Sequence, residues 1–129
     1  MTTVRFKTKP LNECVALFKE LDEKCFPPEM RLTDIELEEL MQTEAQCIVV
    51  RYNDFEIGLA VYIAELQAGT LLGEIDGEFI PHPTGIYSYS EAIDPAYQKL
   101  GLGIAMVNEV ISQISTNGAT RLTAHVRTI

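Results

Sequence analysis

Between Ala92 and Ala105 a strand runs out into a short turn, then a loop with two glycines, then a helix, and this stretch constrains the chain most. The β-rich letters end at Ile93, Asp94-Pro95-Ala96-Tyr97-Gln98-Lys99-Leu100-Gly101 follow, and helical periodicity starts at Leu102. A strand feeding a helix in this way calls for an α/β architecture in which the two pack on each other. Gly101 and Gly103 let backbone amides approach a ligand without an intervening side chain. The unpaired amides of a first helical turn, with the positive dipole end, suit an anion such as a pyrophosphate. Lys99 would add a local cation. The same spacing also describes a plain tight loop whose glycines serve packing alone. Two other phosphate-loop patterns fail. The third glycine of a dinucleotide fingerprint is replaced by Met106, and no Walker sequence is present.

The rest of the chain supplies partners for that unit. Thr3 to Lys7 alternates as a first strand. Leu11 to Cys25 reads as a helix, with Cys14, Leu17, Phe18, Leu21 and Cys25 at helical spacing, stopped by Phe26-Pro27-Pro28. Thr33 and Glu36 have capping-box spacing and open a second helix with Leu37, Leu40 and Met41 on one face. Cys47 to Tyr52 and Glu56 to Leu66 read as strands about an Asn53-Asp54 turn. Gln67 to Thr84 is long for a connection, reads as a solvated, mobile loop, and holds a candidate Asp76-Gly77 hairpin turn. Its Glu74, Asp76 and Glu78 would also guide an amine. Gly85 to Ile93 is a strand. Leu102 to Thr116 is a helix with Val107, Val110, Ile111 and Ile114 on one stripe, stopped at Asn117-Gly118. Arg121 to Arg127 is a last strand. The order β-α-α-β-β-β-α-β implies a single α/β domain over residues 1–129, a mixed sheet flanked by helices.

Composition narrows the partners. Ten basic against nineteen acidic residues give a formal charge of -9, which repels phosphate backbones and argues against nucleic acid. The same field favours a cationic substrate such as an amine. No apolar run reaches the ~20 residues that cross a bilayer, and the N-terminus lacks a secretory pattern, so no membrane and a cytoplasmic location are expected. Cys14, Cys25 and Cys47 lack metal or disulfide spacing and read as small core residues, with no metal expected.

Gln98-Lys99-Leu100-Gly101-Leu102-Gly103 resembles the Q/R-x-x-G-x-G/A motif of GNAT acetyltransferases. Ser90 to Tyr97 is similar to that family's fourth strand and the turn after it, and Leu122 to Arg127 to its fifth strand. Cys25-Phe26-Pro27-Pro28 resembles the ribosomal-protein acetyltransferase branch. The resemblance covers nearly the whole chain. It implies acetyl-CoA (coenzyme A) as cofactor, with backbone amides of Leu100, Gly101, Leu102, Gly103 and Ile104, preceded by Gln98 and Lys99, at the pyrophosphate. It further implies main-chain pairing of Ala92 and Ile93 with the pantetheine arm, and direct transfer of the acetyl group to a small-molecule or peptide amine.

Two residues stand as candidate bases. His125 occupies the fifth-strand position where several relatives carry a glutamate, and Glu91 lies beside the expected thioester on the fourth strand. Both also read as ordinary strand residues. Tyr87, Tyr89 and Glu91 alternate and are expected on one face. The family continues past its fifth strand with a helix and two strands that carry a general-acid tyrosine, whereas this chain ends at Ile129. An uncovered fifth strand tends to recruit another chain, and three explanations stay open: an incomplete sequence, a natural truncation, or a homodimer that completes its own sheet. Two functions are thus open: an N-acetyltransferase, or a non-catalytic acyl-CoA-binding or regulatory module that self-associates.

Overall fold

The computed structural model describes residues 2–69 and 76–125. Five strands form one sheet in chain order: β1 (Val4–Pro10), β2 (Gln46–Tyr52), β3 (Phe55–Ala64), β4 (Gly85–Ile93) and β5 (Arg121–Thr123). The first four are antiparallel neighbours and β5 joins β4 in parallel, so the sheet is mixed as expected. Among the described residues α1 (Val15–Cys25), α2 (Asp34–Met41) and α3 (Leu102–Thr116) flank it.

Alternation in β2 divides the core. Cys47 and Val49 pack beneath α1 and α2 with Phe18, Leu21, Leu37 and Leu40. Ile48 and Val50 pack on the other face against Leu102, Met106, Val110 and Ile114 of α3. Each of these α3 side chains, buried rather than exposed, contributes about 2 kcal/mol, an upper figure because the unfolded chain already hides some apolar surface. The buried stripe sits one residue from the expected one: Met106 is inside, while Val107 is half-buried and Ile111 is 44% exposed. Both stripes satisfy the helical period, and only the approach to the sheet selects between them. Met41 is likewise exposed, since Leu37 and Leu40 already fill the α2 contact.

Helix ends follow their letters. Thr33 and Glu36 exchange both capping-box bonds. Gly118, at φ 90°, ends α3: its amide bonds Ser115 and the Ala119 amide bonds Ile114, a Schellman arrangement. Leu11 to Cys25 is not one helix: Leu11–Glu13 form a separate 3-10 turn held by the Leu11 amide on the Ala45 carbonyl. β1 extends to Pro10, which an edge strand tolerates because no ladder donor is lost.

A β-bulge matters most for the site. Val61 pairs with Ser90 and Tyr62 with Ser88, so the register skips Tyr89. An extra residue reverses the alternation of everything beyond it. Tyr87, Tyr89 and Ala92 therefore lie on the α1 face, while Glu91 pairs with Ala60 on the α3 face. The expected common face of Tyr87, Tyr89 and Glu91 is corrected here.

The segment after β3 is not simply solvated. In its described part, Asp76 begins a turn closed by the Phe79 amide, Phe79 packs on the core, and the His82 amide bonds Glu65. Asp76-Gly77 lies in that turn, and among the described residues no strand follows it before Gly85. Glu74 lies outside the described residues. β5 covers only Arg121–Thr123, shorter than expected; Ala124 and His125 are not in strand, and Val126 and Arg127 lie outside the described residues.

Candidate functional site

β4 and β5 pair only from Gly85 to Tyr87. Beyond that point the two elements part, and the edge of β4 from Ser88 to Ile93 opens onto two depressions. The first is a cleft of about 450 Å³ between the end of β4 and the N-terminal half of α3. Glu91, Ala92 and Ile93 form one wall, and Gly103, Ile104, Val107 and Asn108 the other. The second is a groove of about 460 Å³ between α1, the Phe26–Leu32 segment and the parting of β4 from Ala124 and His125. Glu91 lines both.

The glycine loop leads into one wall of the cleft. Pro95–Leu100 wind as a 3-10 turn, and Gly101 takes a left-handed φ of 72°, a conformation that favours glycine, to start α3. A Cβ added at Gly103 would meet nothing within 4 Å. Internal packing therefore gives no reason for glycine at this helical position, and the room above the first-turn amides stays open to a ligand. Lys99 and Leu100 are exposed, and the Leu102 side chain is core.

Several bonds fix the end of β4. The Gln98 Nε2 donates to the Ile93 carbonyl at 3.0 Å, and the Cys25 thiol donates to the same oxygen at 3.3 Å. That carbonyl is thus satisfied inside the protein, and Gln98 acts on the strand through its side chain. Cys14 and Cys47 are buried, as expected of small core residues, but Cys25 is half-buried and faces the groove. Burial, followed by the nearby Asp94 charge, pushes the Cys25 thiol up, so it stays protonated and able to donate. Asp94 accepts from Lys24 at 2.9 Å and from the Ala96 amide at 3.0 Å. The Lys24 bond, and then the amide, hold its carboxyl below the usual range. This pair ties the end of α1 to the turn that precedes the glycine loop.

Glu91 and His125, far apart in sequence, meet along the groove. The Glu91 Oε1 accepts the Ser88 hydroxyl at 3.0 Å. Both ring nitrogens of His125 have partners: Nδ1 lies 3.1 Å from the Tyr87 hydroxyl and Nε2 lies 3.4 Å from Asp76. The ring also packs against Phe79 and Tyr87, with centroids at 5.8 and 5.5 Å.

Sequence reasoning missed Asn108, Val107 and Cys25 as site residues, and named Asp76 only as one of three acidic residues that would guide an amine. The first two had a usable signal, since Val107 and Asn108 stand one turn beyond Gly103 and Ile104 on the same helix face. The contact of Asp76 with His125 had no such signal, because it spans a separation of 49 residues. Among the described residues no group of three or more His, Cys, Asp or Glu is placed to hold a metal. No helix of the described residues is long and apolar enough to cross a membrane.

No curated protein matches the chain in sequence. Solved structures do match in shape. The aminoglycoside N-acetyltransferase AAC(6')-Iy, solved in complex with CoA, aligns with a TM-score of 0.67 at 10% identity, over 98% of this chain and 79% of its own. A ribosomal-protein-alanine N-acetyltransferase from Brucella melitensis aligns with a TM-score of 0.67 at 13% identity, over 98% and 82%. A GNAT-family protein from Desulfovibrio desulfuricans gives 0.66 at 21% identity, over 95% and 72%. At such identities these establish the fold. The family itself rests on a direct match of residues 14–128 to the model of the Acetyltransferase (GNAT) family. With that match over most of its length, and a glycine loop opening α3 beside a parted β4, the chain belongs to the GNAT acetyltransferase family.

Proposed function

We propose that the chain transfers an acetyl group from acetyl-coenzyme A directly to an amine lodged in the groove, with Glu91 as the base. One observation carries this reading: the cleft and the groove share Glu91. A donor in the cleft and an acceptor in the groove would meet at that carboxylate and nowhere else along β4.

The family's acyl donor is acetyl-coenzyme A, which supplies an activated thioester carbonyl. The chain's own residues fit it. The amides of Leu100 to Ile104 and the positive end of α3 suit its pyrophosphate, and Gly103 leaves them uncovered. The strand edge at Ala92 and Ile93 faces the pantetheine arm with its remaining main-chain groups, since Gln98 and Cys25 already hold the Ile93 carbonyl. Across from them, the Asn108 carboxamide provides both a donor and an acceptor for the amides of that arm.

An aliphatic ammonium, with a pKa near ~10, has no lone pair at neutral pH and must lose a proton before it can attack. Glu91 receives that proton, directly or through water, and the Ser88 hydroxyl holds its other oxygen in place. We assign His125 to the wall of the groove, because Tyr87 and Asp76 already engage its two nitrogens.

Calorimetric titration with acetyl-coenzyme A, followed by an assay of CoA release with amines, tests the reading. One molecule should bind per chain. Glu91→Gln should lower kcat by about 100-fold or more while the affinity for acetyl-coenzyme A is unchanged. Unaltered turnover would remove Glu91 as the base, and binding without turnover of any amine would favour a non-catalytic module. His125→Ala should raise the acceptor KM by up to about tenfold, the effect of one or two lost hydrogen bonds, with acetyl-coenzyme A affinity retained.

A further inference from the structure

The net charge of -9 suggests a polycationic acceptor, but the groove facing Glu91 is built for something else. Phe18, Phe26, Met30, Leu32 and Tyr89 form its apolar side, alongside the polar Ser90 and His125. Of the chain's nineteen acidic residues, the described ones that line it are Asp22 and Glu91. Asp22 has a structural task, since its carboxylate accepts the Leu32 amide at 2.8 Å. Asp76, beside the groove, lies against His125. Glu91 is thus the carboxylate placed to meet an incoming ammonium at the reacting end.

The apolar wall is also pre-formed. Pro27 and Pro28 stiffen the backbone between Phe26 and Met30. Arg31 crosses behind it, its Nε donating to the Phe26 carbonyl at 2.9 Å and its guanidinium donating to the Glu23 carbonyl at 3.0 Å. A wall held this way loses little freedom when an apolar body settles on it. It also carries a fixed positive charge next to the groove. A second or third ammonium would lie over aromatic and aliphatic side chains near Arg31, where the carboxylates of Asp22 and Asp76 are already engaged by the Leu32 amide and His125.

We infer that the acceptor is a primary monoamine on an aromatic or branched apolar body, its nitrogen at Glu91 and its body against Phe26, Met30 and Tyr89. This rests on the acetyltransferase reading above and names the substrate class of that site. An aromatic body would stack or pack edge-on with Phe26 and Tyr89, and a groove of about 460 Å³ admits a small molecule of that kind.

The test compares 2-phenylethylamine and tyramine with spermidine, using the full chain. Two readouts are taken: kcat/KM with acetyl-coenzyme A, and calorimetric affinity of each amine for the CoA-saturated protein. The arylalkylamines should exceed spermidine by about tenfold or more in both. Equal or better performance by spermidine overturns the inference, as does the absence of binding by either arylalkylamine. Tight arylalkylamine binding without turnover upholds the acceptor class and refutes the catalytic reading instead. Met30→Glu, its fold checked by circular dichroism, should move the preference toward spermidine by about tenfold, because it gives a second cation a partner. An unmoved preference in a folded Met30→Glu protein would mean that this wall does not touch the acceptor.

Discussion

Gly103→Glu is expected to abolish acetyl-coenzyme A binding while leaving the protein as stable as before, or slightly more so. The two halves of this result have separate causes. A side chain at residue 103 meets nothing within 4 Å, so folding encounters no clash. Replacing glycine in a helix relieves roughly 0.5–1 kcal/mol of backbone entropy cost. A carboxylate in the first turn gains about 0.3–1 kcal/mol from the helix dipole. Ligand binding suffers on both counts. The new side chain occupies the space above the first-turn amides, and its charge faces that of a pyrophosphate. At roughly 5 Å and an effective dielectric near ~20, two like unit charges repel by about 3 kcal/mol. That alone is about 100-fold in affinity. Calorimetry and a thermal melt on one sample check both halves. Unchanged affinity would mean that the phosphates do not sit at the start of α3. Gly103→Ala, with bulk but no charge, should fall between the two.

Glu65→Gln is expected to give a large loss of stability at a site distant from the cleft. Glu65 is fully buried, yet it carries a charge. Its Oε2 accepts from the Arg121 Nε at 2.8 Å, its Oε1 accepts from the same guanidinium, and the His82 amide donates to it at 3.2 Å. Arg121 also bonds the Ile80 carbonyl at 3.1 Å and lies over the Phe79 ring. This one pair therefore joins the residue after β3, the segment before β4 and the first residue of β5. Gly85 makes room for it: a Cβ there would run into the Glu65 carboxylate.

Removing one partner of a buried pair costs about 3–5 kcal/mol. Here water reaches the guanidinium, whose side chain is 40% exposed, so about 3 kcal/mol is the better figure. For a domain of this size that lowers Tm by roughly 10 °C. The effect depends on pH in a fixed direction. The Arg121 bond, foremost among its causes, holds the Glu65 carboxyl below its usual range in the folded state. The stabilisation is thus complete above the unfolded carboxyl pKa of about 4.3, and it is lost as pH falls through the lower folded value. The stability gap between wild type and Glu65→Gln, measured by urea unfolding, should be constant near neutrality and shrink below about pH 4. A gap independent of pH would mean that the charge contributes nothing. Because β5 leads straight into Ala124 and His125, the same variant should raise the acceptor KM and spare acetyl-coenzyme A affinity.

Much of the architecture was legible because local rules decide it. Alternation marked β1, β-rich runs marked β2 and β3, and the capping box at Thr33 and the glycine at 118 set helix limits within a residue or two. The two-residue turn at Asn53 and Asp54 was equally plain; Asn53 adopts the positive φ that such a turn asks of it. The glycine loop and its helix were readable for the same reason, since backbone freedom and unpaired amides are properties of adjacent residues.

The amino-acid sequence by itself determined the order of elements, a mixed sheet and the glycine loop that opens α3, all consequences of short-range periodicity and turn chemistry. The tertiary structure alone decided which residues share the site. The bulge at Tyr89 turned Glu91 away from the face of the tyrosines and into the wall common to both depressions. Docking on the sheet chose Met106 over Val107 for the core and left Val107 to the cleft. Asp76 reached His125, and Arg121 reached Glu65, across 49 and 56 residues. Such contacts depend on register and on the crossing of distant segments, and neither is encoded in the spacing of neighbouring residues.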